Sequence, residues 1–230
     1  PELQAADIIA ANKGCCDVDL VKFVCNAAAP TVEWLSSDCG IDLICFTDFL
    51  YHGHSKYRMH GPPSGYGRSL VQMLARRVQE HDQIGCHYGT EVTGLIVEND
   101  SVVGLRSCAG DFRGCAVILA TCGFGASSEM VSKYIDSTSS SGVSSVMASA
   151  WYQGSPHNDG SGLLWGEAAG GELQYMGSYQ GHATVTDSPE PKLITYGVIV
   201  NGGILVNAHG ERFGNENVGY SEFSAAVLAQ

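Results

Sequence analysis

A short apolar run followed by small residues and glycines is the feature that most constrains this chain. Residues 116–120 read Ala-Val-Ile-Leu-Ala, and the next five are Thr121, Cys122, Gly123, Phe124 and Gly125. An apolar run of this length without polar alternation is typical of a strand buried on both faces of a parallel sheet. Glycines after the run let the backbone turn tightly and approach a ligand closely. We therefore predict a buried strand at residues 116–119 beside a ligand, although packing alone also accounts for such a run.

The overall charge of the chain excludes several classes of partner. Twelve basic and twenty-four acidic residues give a net charge of −12, and no basic cluster extends beyond Arg76 and Arg77. Nucleic acid and anionic membrane are therefore poor partners for this chain. No apolar run approaches the roughly 20 residues of a transmembrane helix, so we expect no membrane insertion by this segment.

The nine cysteines have no spacing that indicates a metal site or a disulfide framework. Their number is odd, and neither a Cys-x-x-Cys pair nor a Cys/His zinc pattern is present. We predict reduced, mostly buried thiols in a cytoplasmic protein.

Helical and strand patterns alternate through the first part of the chain. A helix capped by Asp17 or Asp19 is expected to end or kink at Pro30, with a second segment closed by Gly40. Residues 49–63 are polar and aromatic and predict a loop, and an amphipathic helix follows from Gly65. Three histidines lie within residues 52–60, but no Cys, Asp or Glu accompanies them, so we predict no metal site.

Short strands and turns are predicted from residue 84 onward. Strand patterns occupy residues 84–88, 92–97 and 102–106, with turns at residues 99–100 and 110–111. Further on, Ser127 or Ser128 can cap a short helix, Ser137 to Ser145 is Ser/Gly-rich, and Asp159 can cap a helix that ends before Gly170. The pattern as a whole predicts an α/β fold with α+β insertions.

Several motifs resemble the flavoprotein subunits of fumarate reductase and succinate dehydrogenase and their relatives. Residues 120–124 resemble the Ala-Thr-Gly-Gly-Phe segment of that family, in which this strand closes on FAD. Cys122 replaces the first glycine, which narrows the approach to the cofactor at that position. Residues 158–160 are similar to the family's Gly-Asp-Gly, with Asn158 in place of its first glycine. The resemblance implies FAD as cofactor and these contacts with it: Val92 near the adenine, and Ala120, Thr121, Gly123, Phe124, Asp159 and Gly160.

The resemblance also implies a domain division. Residues 1–176 would be part of a Rossmann-like FAD-binding domain, and residues 177–230 the beginning of the substrate or capping domain. No Gly-x-Gly-x-x-Gly fingerprint follows a strand in this chain, and in the family it lies before residue 1. We therefore expect the chain to be an internal fragment that binds FAD poorly by itself.

Three further motifs resemble the family's substrate cleft. Residues 58–62 are similar to its Arg-Ser-His-Arg-Pro, residues 179–184 to its Tyr-Ile-Gln-Ala-His-Pro-Thr, and residues 201–216 to its Gly-Asn-Gly motif that ends in Arg-Phe-x-Asn-Glu. The resemblance implies substrate contacts from His60, Gln180 and Thr195, and a catalytic role for His182. We assign Arg212 and Glu216 to structure, with residues 204–206 as a strand and residues 207–210 as a hairpin turn.

Two positions depart from fumarate reductases. Their proton-donating arginine corresponds to Tyr220, and their proton-relaying glutamate corresponds to Tyr196. A guanidinium binds a carboxylate through two parallel hydrogen bonds, which a phenol cannot do. A tyrosine, with an ordinary pKa of about 10, can still act as acid or base when neighbours lower that pKa. Tyr220, His182 and Tyr196 are therefore the predicted catalytic residues.

The resulting hypothesis is an FAD-dependent oxidoreductase that moves a hydride between flavin and an activated carbon–carbon bond of a small organic molecule. Fumarate and succinate are disfavoured, and a less acidic substrate of the kind used by the related ketosteroid dehydrogenases fits better. The electron donor or acceptor is not indicated by the sequence. The alternatives are a non-catalytic flavin-binding or assembly protein, and a partial gene product without independent function.

Overall fold

The computed structural model describes residues 1–48, 50–136, 147–186 and 191–230. The chain divides into two compact units, residues 1–87 and 88–230, and each is described by itself. The units do not test the predicted domain boundary between residues 176 and 177, which stays a prediction.

Three helices make up about half of the first unit. They are α1, Glu2–Ala11; α2, Val18–Ser37; and α3, Gly67–Gln79. Asp17 caps α2 as predicted, because its carboxylate accepts the amides of Asp19 and Leu20. The α1 helix, which packs against α2, was not predicted.

The predicted end of the helix at Pro30, with a second segment after it, is wrong, whereas a kink at this residue stays a prediction. One helix of 20 residues runs through Pro30 to Ser37. Proline removes a single amide donor, and the remaining ladder keeps the helix continuous. The Thr31 hydroxyl also donates to the Ala27 carbonyl, 2.8 Å away, on the turn where proline interrupts the ladder.

The predicted loop at residues 49–63 contains a short strand. Strand β1, Ile44–Cys45, pairs antiparallel with β2, His60–Gly61, so that Cys45 lies opposite His60. The rest of the stretch is loop, apart from Phe49, which lies outside the described residues.

The second unit contains a three-stranded antiparallel sheet. Its strands are β3, Val92–Glu98; β4, Ser101–Ser107; and β5, Gly110–Arg113, in the order β3-β4-β5. Asn99 and Asp100 both have positive φ, which suits these residue types in a two-residue hairpin, and the predicted turn is confirmed. The second turn comes earlier than predicted, at residues 108–109, because Gly110 already pairs with Ser107. Residues 84–88 form no strand, contrary to the prediction.

The predicted buried strand at residues 116–119 is also wrong for this structure. These residues have no assigned strand, and the Ile118 side chain is 90% exposed. A parallel strand needs at least one parallel neighbour, and both sheets within the described residues are small and antiparallel. The apolar run therefore has no sheet to enter in this part of the molecule.

The described residues of the second unit also form four α-helices: α4, Ser128–Tyr134; α5, Ser161–Ala168; α6, Gly197–Val200; and α7, Tyr220–Leu228. Ser127 caps α4 as predicted. Phe124, Met130, Val131 and Ile135 form the buried apolar cluster of this unit. The Ser/Gly-rich stretch predicted at Ser137 to Ser145 lies outside the described residues.

All nine cysteines are free, but the prediction that most are buried is wrong. Cys25 is buried, Cys16 and Cys39 are half-buried, and the other six are exposed. The fold class is a mixture of helices and small sheets; its Rossmann-like and capping parts stay predictions. Among the described residues, no helix is both long and apolar enough to cross a bilayer.

Candidate active site

The three predicted catalytic residues lie together in the second unit. The rings of His182 and Tyr220 are stacked, with centroids 4.8 Å apart and planes inclined by 24°. Tyr196 meets both rings edge-on, at 6.3 Å from His182 and 5.8 Å from Tyr220. All three side chains are half-buried. We call this group the aromatic cluster.

A short antiparallel pairing brings His182 and Tyr196 together. Val185 bridges Leu193, and the amide of Ile194 donates to the carbonyl of Thr184 at 3.0 Å. The Thr184 hydroxyl also donates to the Ile194 carbonyl at 2.8 Å. Thr184 is thus bonded to Ile194 through both its main chain and its side chain. His182 and Tyr196 flank the paired segments and therefore come close in space.

Hydrogen bonds set the tautomer of His182. The Thr184 amide donates to its Nδ1 at 3.3 Å, and a backbone amide can only donate. Nδ1 is therefore the acceptor, and the neutral ring carries its proton on Nε2. The sequence did not indicate this role of Thr184, because it depends on backbone geometry.

Tyr220 is the first residue of α7. Gly219 precedes it with φ of 100° and ψ of 158°, a conformation that favours glycine and sets the direction in which the helix leaves. The Gln180 side-chain amide donates to the Tyr220 hydroxyl oxygen at 2.6 Å. Gln180, predicted to bind substrate, thus contacts the predicted proton donor directly. An amide donor at the phenol oxygen stabilises developing negative charge when the phenol releases its proton.

Tyr196 is held differently from Tyr220. Its hydroxyl donates to the main-chain carbonyl of Glu216 at 2.6 Å. Burial, and then the nearby Glu216 carboxylate, raise the pKa of Tyr196 above its ordinary value. Both effects keep the phenol protonated, which makes Tyr196 a poorer acid and favours a positioning role over a proton relay.

An ion pair between the exposed Arg212 and the buried Glu216 lies next to the aromatic cluster, because the Glu216 carbonyl accepts the Tyr196 hydroxyl. Glu216 is 2% exposed and receives three hydrogen bonds from the Arg212 guanidinium, the shortest at 2.5 Å. The Leu205 amide also donates to this carboxylate, at 2.8 Å. Hydrogen bonds from Arg212 and the Leu205 amide lower the pKa of Glu216 to about 2. The predicted structural role of this pair agrees with these contacts.

The segment around the pair differs in part from prediction. Residues 204–206 were predicted as a strand, but only an isolated bridge joins Val206 to Arg212. The predicted turn at residues 207–210 is present, since the Asn207 side chain accepts the amides of His209 and Glu211. The Glu216 carboxylate takes the Leu205 amide, which a longer strand would have used in its ladder.

The predicted cofactor segment lines a cleft of about 560 Å³ beside α5. We call this space the α5 cleft; its walls include Ala120, Thr121 and Cys122 on one side and Gly162 and Gly166 of α5 on the other. A Cβ on Gly162 would lie 2.0 Å from the Thr121 hydroxyl, so α5 can pack this closely only with glycine there. Cys122 adopts φ of 60°, the left-handed region in which a glycine is unstrained.

The α5 cleft fits part of FAD better than the whole. Small side chains, glycines and the exposed backbone of residues 120–123 leave room for a flat ring against main-chain groups. The acidic side chains that line this cleft are Glu167 and Glu172. Their two carboxylates would repel the negatively charged pyrophosphate of FAD. Ala120 and Thr121 are thus suited to hold a ring of the cofactor, while Gly123 is exposed just beyond the cleft wall.

The start of α5 also differs slightly from prediction. Gly160, with φ of 82°, occupies the N-cap position predicted for Asp159, while the Asp159 carboxylate accepts the Ser161 amide at 2.9 Å. A Cβ on Gly160 would lie 2.3 Å from the sulfur of Met130 and 2.8 Å from Cβ of Phe124. Asp159 and Gly160 therefore fix the helix against buried Phe124.

The remaining predicted site residues are not brought into the aromatic cluster by any described contact. Val92 begins β3 and pairs with Ser107. Thr195 is exposed, and its hydroxyl accepts the Gly197 amide at 3.2 Å. His60 belongs to the first unit, on β2.

Comparison with known proteins identifies the class. The chain belongs to the family described as FAD binding domain, whose sequence profile matches residues 1–230. FAD is therefore its cofactor, and its homologues are FAD-dependent oxidoreductases.

Three relatives illustrate the range of that class. The chain is 31% identical over 239 residues to fumarate reductase (cytochrome) of Shewanella frigidimarina, covering 100% of this chain and 39% of the relative. It is 30% identical over 223 residues to L-aspartate oxidase of Agrobacterium fabrum, covering 92% and 38%. It is 27% identical over 248 residues to urocanate reductase of Eggerthella lenta, covering 100% and 38%. The chain thus spans about two fifths of the length of these relatives.

Proposed function

We propose that this chain is part of an FAD-dependent oxidoreductase that acts on an activated carbon–carbon bond of a small organic substrate, with Tyr220 as acid or base. The observation that carries the proposal is the aromatic cluster with Gln180 at the Tyr220 hydroxyl. The relatives' names, which include fumarate reductase and urocanate reductase, support redox chemistry on small organic molecules.

Each residue of the proposed site has a distinct task. FAD, when bound, supplies the hydride donor or acceptor. Ala120 and Thr121 would hold one of its rings in the α5 cleft, with the exposed Gly123 two residues further along the same segment. Tyr220 would give its hydroxyl proton to the substrate carbon or take one from it, with Gln180 stabilising the charge on its oxygen.

The other members of the cluster would shape the site around this proton transfer. Tyr196, whose hydroxyl is committed to the Glu216 carbonyl, would form a wall that excludes water. His182 presents a protonated Nε2 in its neutral tautomer and would donate a hydrogen bond to a substrate carbonyl. Such a site suits an unsaturated ketone, amide or ester better than a dicarboxylate, because the described part of the cluster contains no guanidinium facing the rings.

The cellular compartment and the electron partner also belong to this proposal. The nine free thiols support a reducing compartment, and we propose the cytoplasm. The electron partner is proposed only as a separate donor or acceptor, in line with relatives such as NADH:acrylate oxidoreductase of Vibrio harveyi.

The test uses the complete, flavin-loaded protein and a panel of acceptors: urocanate, acrylate, fumarate and a 1,4-diene-3-ketosteroid, with reduced methyl viologen as donor. Tyr220→Phe keeps the ring and removes only the hydroxyl, and it should lower turnover by about 10²- to 10⁴-fold with flavin content unchanged. The matched control is Tyr179→Phe, at an exposed tyrosine three residues before His182. Its turnover should stay close to that of the parent.

Two results would contradict the proposal. Turnover of the Tyr220→Phe variant within about threefold of the parent is too small a loss for an acid or base and would move that role to His182. A protein that holds FAD but whose visible spectrum never changes with any donor or acceptor of the panel would favour the non-catalytic alternative.

A further inference from the structure

Ser224 lies one helical turn after Tyr220 on α7. Residues four apart share one face of a helix, so both side chains lie on the same side of α7. Ser224 is 5% exposed, and its hydroxyl donates to the Ser221 carbonyl at 2.6 Å. The hydroxyl proton is thus committed to the helix itself, and the side chain offers its neighbours a fixed shape.

Gly181 packs against this side chain without space for a larger residue. A Cβ on Gly181 would lie 2.2 Å from Oγ of Ser224 and 2.8 Å from its Cβ. A Cβ atom does not approach other heavy atoms this closely unless one of them shifts. Gly181 has no positive φ, so its backbone torsion does not itself require glycine. The limited space beside Ser224 is therefore what requires glycine at this position.

The two residues that flank Gly181 in sequence both contact Tyr220. The Gln180 side-chain amide donates to the hydroxyl oxygen at 2.6 Å, and the His182 ring is stacked on the phenol ring. Three consecutive loop residues thus contact two residues that lie one turn apart on α7. The depth at which Gly181 packs on Ser224 sets how closely Gln180 reaches the hydroxyl.

The other side of α7 is closely packed as well. Phe223, which is 3% exposed, stacks on Phe213 with ring centroids 5.4 Å apart. A Cβ on Gly214 would lie 2.6 Å from the Phe223 ring, so the helix has no room to retreat on that side. A methyl group added between the loop and α7 should therefore displace the loop, whose residues 178–182 belong to no helix or strand.

We propose that Ser224 is a positioning residue for the proton transfer at Tyr220. It acts through Gly181, whose close contact with it sets the distance at which the Gln180 amide donates to the phenol oxygen. This inference rests on the proposed function, which assigns the acid or base role to Tyr220. The sequence motifs did not indicate Ser224, because the contact joins a loop to a helix much further along the chain.

The first experiment adds one methyl group at the contact. Gly181→Ala in the complete, flavin-loaded protein, assayed with the panel acceptor that turns over fastest, should lower kcat about tenfold with a smaller change in KM and unchanged flavin content. This loss lies within the roughly 10²-fold that a misplacement of 1 Å can cost. The control is Gly67→Ala, at the first residue of α3, which has no positive φ and where a Cβ would meet nothing within 4 Å. Its kinetics should match those of the parent.

The second experiment removes the crowding from the helix side. In the Gly181→Ala protein, Ser224→Ala takes away the oxygen at 2.2 Å, and Ser224→Gly also takes away the carbon at 2.8 Å. The kcat should therefore recover in two steps, and the Gly181→Ala/Ser224→Gly protein should come within about threefold of the parent. If Ser224 merely stabilised α7, this double variant would be worse than Gly181→Ala alone, because glycine weakens a helix interior. Absence of recovery overturns the proposal.

Hydrogen–deuterium exchange follows the loop without reference to activity. Amides of residues 180–184 should exchange faster in Gly181→Ala than in the parent, and Ser224→Gly added to that variant should return them toward parent rates. Unchanged exchange in Gly181→Ala overturns the close contact and the proposal with it. If Gly181→Ala fails to fold, Ser224→Gly in the parent background opens the same contact from the helix side. That variant should lower kcat and speed exchange, and parent-like values for both would overturn the proposal.

A double-mutant cycle with Tyr220→Phe separates this proposal from the proposed function. Once the hydroxyl is gone, Gly181→Ala should lower kcat by less than about threefold, because Gln180 has no phenol oxygen to reach. A loss of about tenfold in an already impaired Tyr220→Phe protein overturns the positioning role and leaves the function intact. A Tyr220→Phe protein within about threefold of the parent overturns the acid or base role, and the positioning role with it.

Discussion

Cys122 occupies a backbone conformation that its side chain disfavours. Its φ of 60° lies in the left-handed region, where a Cβ crowds the following carbonyl oxygen at a cost of roughly 1–2 kcal/mol. The family resemblance places a glycine here, so the sequence indicated the unusual residue but not the strained torsion. The structure adds that the thiol is exposed and belongs to the wall of the α5 cleft.

Replacing Cys122 with glycine should therefore stabilise the protein. Relief of the left-handed strain outweighs the added flexibility of the unfolded chain, which costs about 0.5–1 kcal/mol, so we expect a net gain of about 0.5–1 kcal/mol. Urea denaturation followed by circular dichroism measures this difference. Cys115→Gly, at an exposed cysteine without positive φ, is the control and should lose stability. A Cys122→Gly variant as unstable as that control would contradict the strain argument.

The site residues were predictable from sequence to different degrees. His182, Tyr196 and Tyr220 were found from motif spacing, and they do lie together. Their hydrogen-bond roles were not predictable, because the acceptor of Tyr196 is a main-chain carbonyl that any residue type would supply.

At the scale of elements, the turn from the Arg212–Glu216 pair into α7 places Tyr220. The Asn215 side chain accepts the Asn217 amide, Gly219 redirects the chain, and Tyr220 follows as the first helical residue. Since the Glu216 carbonyl also holds the Tyr196 hydroxyl, one short segment positions two of the three rings.

The stability supplied by Glu216 should depend on pH. Its pKa falls from the ordinary value of 4.5 to about 2 on folding, so its contribution is complete above pH 4.5 and disappears as the pH falls through about 2. Thermal unfolding of the parent and of Glu216→Gln should show a lower Tm for the variant at pH 7. That gap should close progressively between pH 4.5 and pH 2, and a constant gap would mean that the lowered pKa is not the cause.

Predicted elements held where local chemistry decides them. Local side chains alone determine four predicted features: the helix caps at Asp17 and Ser127, the turn at residues 99–100, and the amphipathic helix α3. Two predictions failed: the strand at residues 84–88 and the end of the helix at Pro30. A strand needs a partner that the local pattern does not reveal, and a long helix tolerates one missing amide.

At the scale of the whole molecule, the family and its cofactor are established. The reaction stays a proposal, because the relatives are much longer than this chain. The chain matches about 38–39% of three relatives' lengths. The sequence predicted the α/β class and FAD. It also predicted a central strand at residues 116–119, but the described residues contain no parallel neighbour for that strand, and Ile118 and Leu119 stay exposed.

Fumarate should be a poor substrate for the complete protein, despite the resemblance to fumarate reductases. Tyr220 and Tyr196 stand where those enzymes place an arginine and a glutamate, and a phenol cannot bind a carboxylate through two parallel bonds. We expect turnover with fumarate and reduced methyl viologen well below the range of about 1 to 10³ s⁻¹ of typical enzymes. Turnover inside that range would show that both tyrosines are misassigned.

The exposed thiol of Cys122 also makes the α5 cleft open to covalent labelling. A thiolate is the reactive species, and an accessible cysteine on a cleft wall meets a maleimide dye from solution. Peptide mass spectrometry distinguishes this label from those on the five other exposed cysteines, which serve as internal references. The labelling rate at this single sulfur thus becomes a gauge of how fully the cleft is occupied, readable without an enzymatic assay.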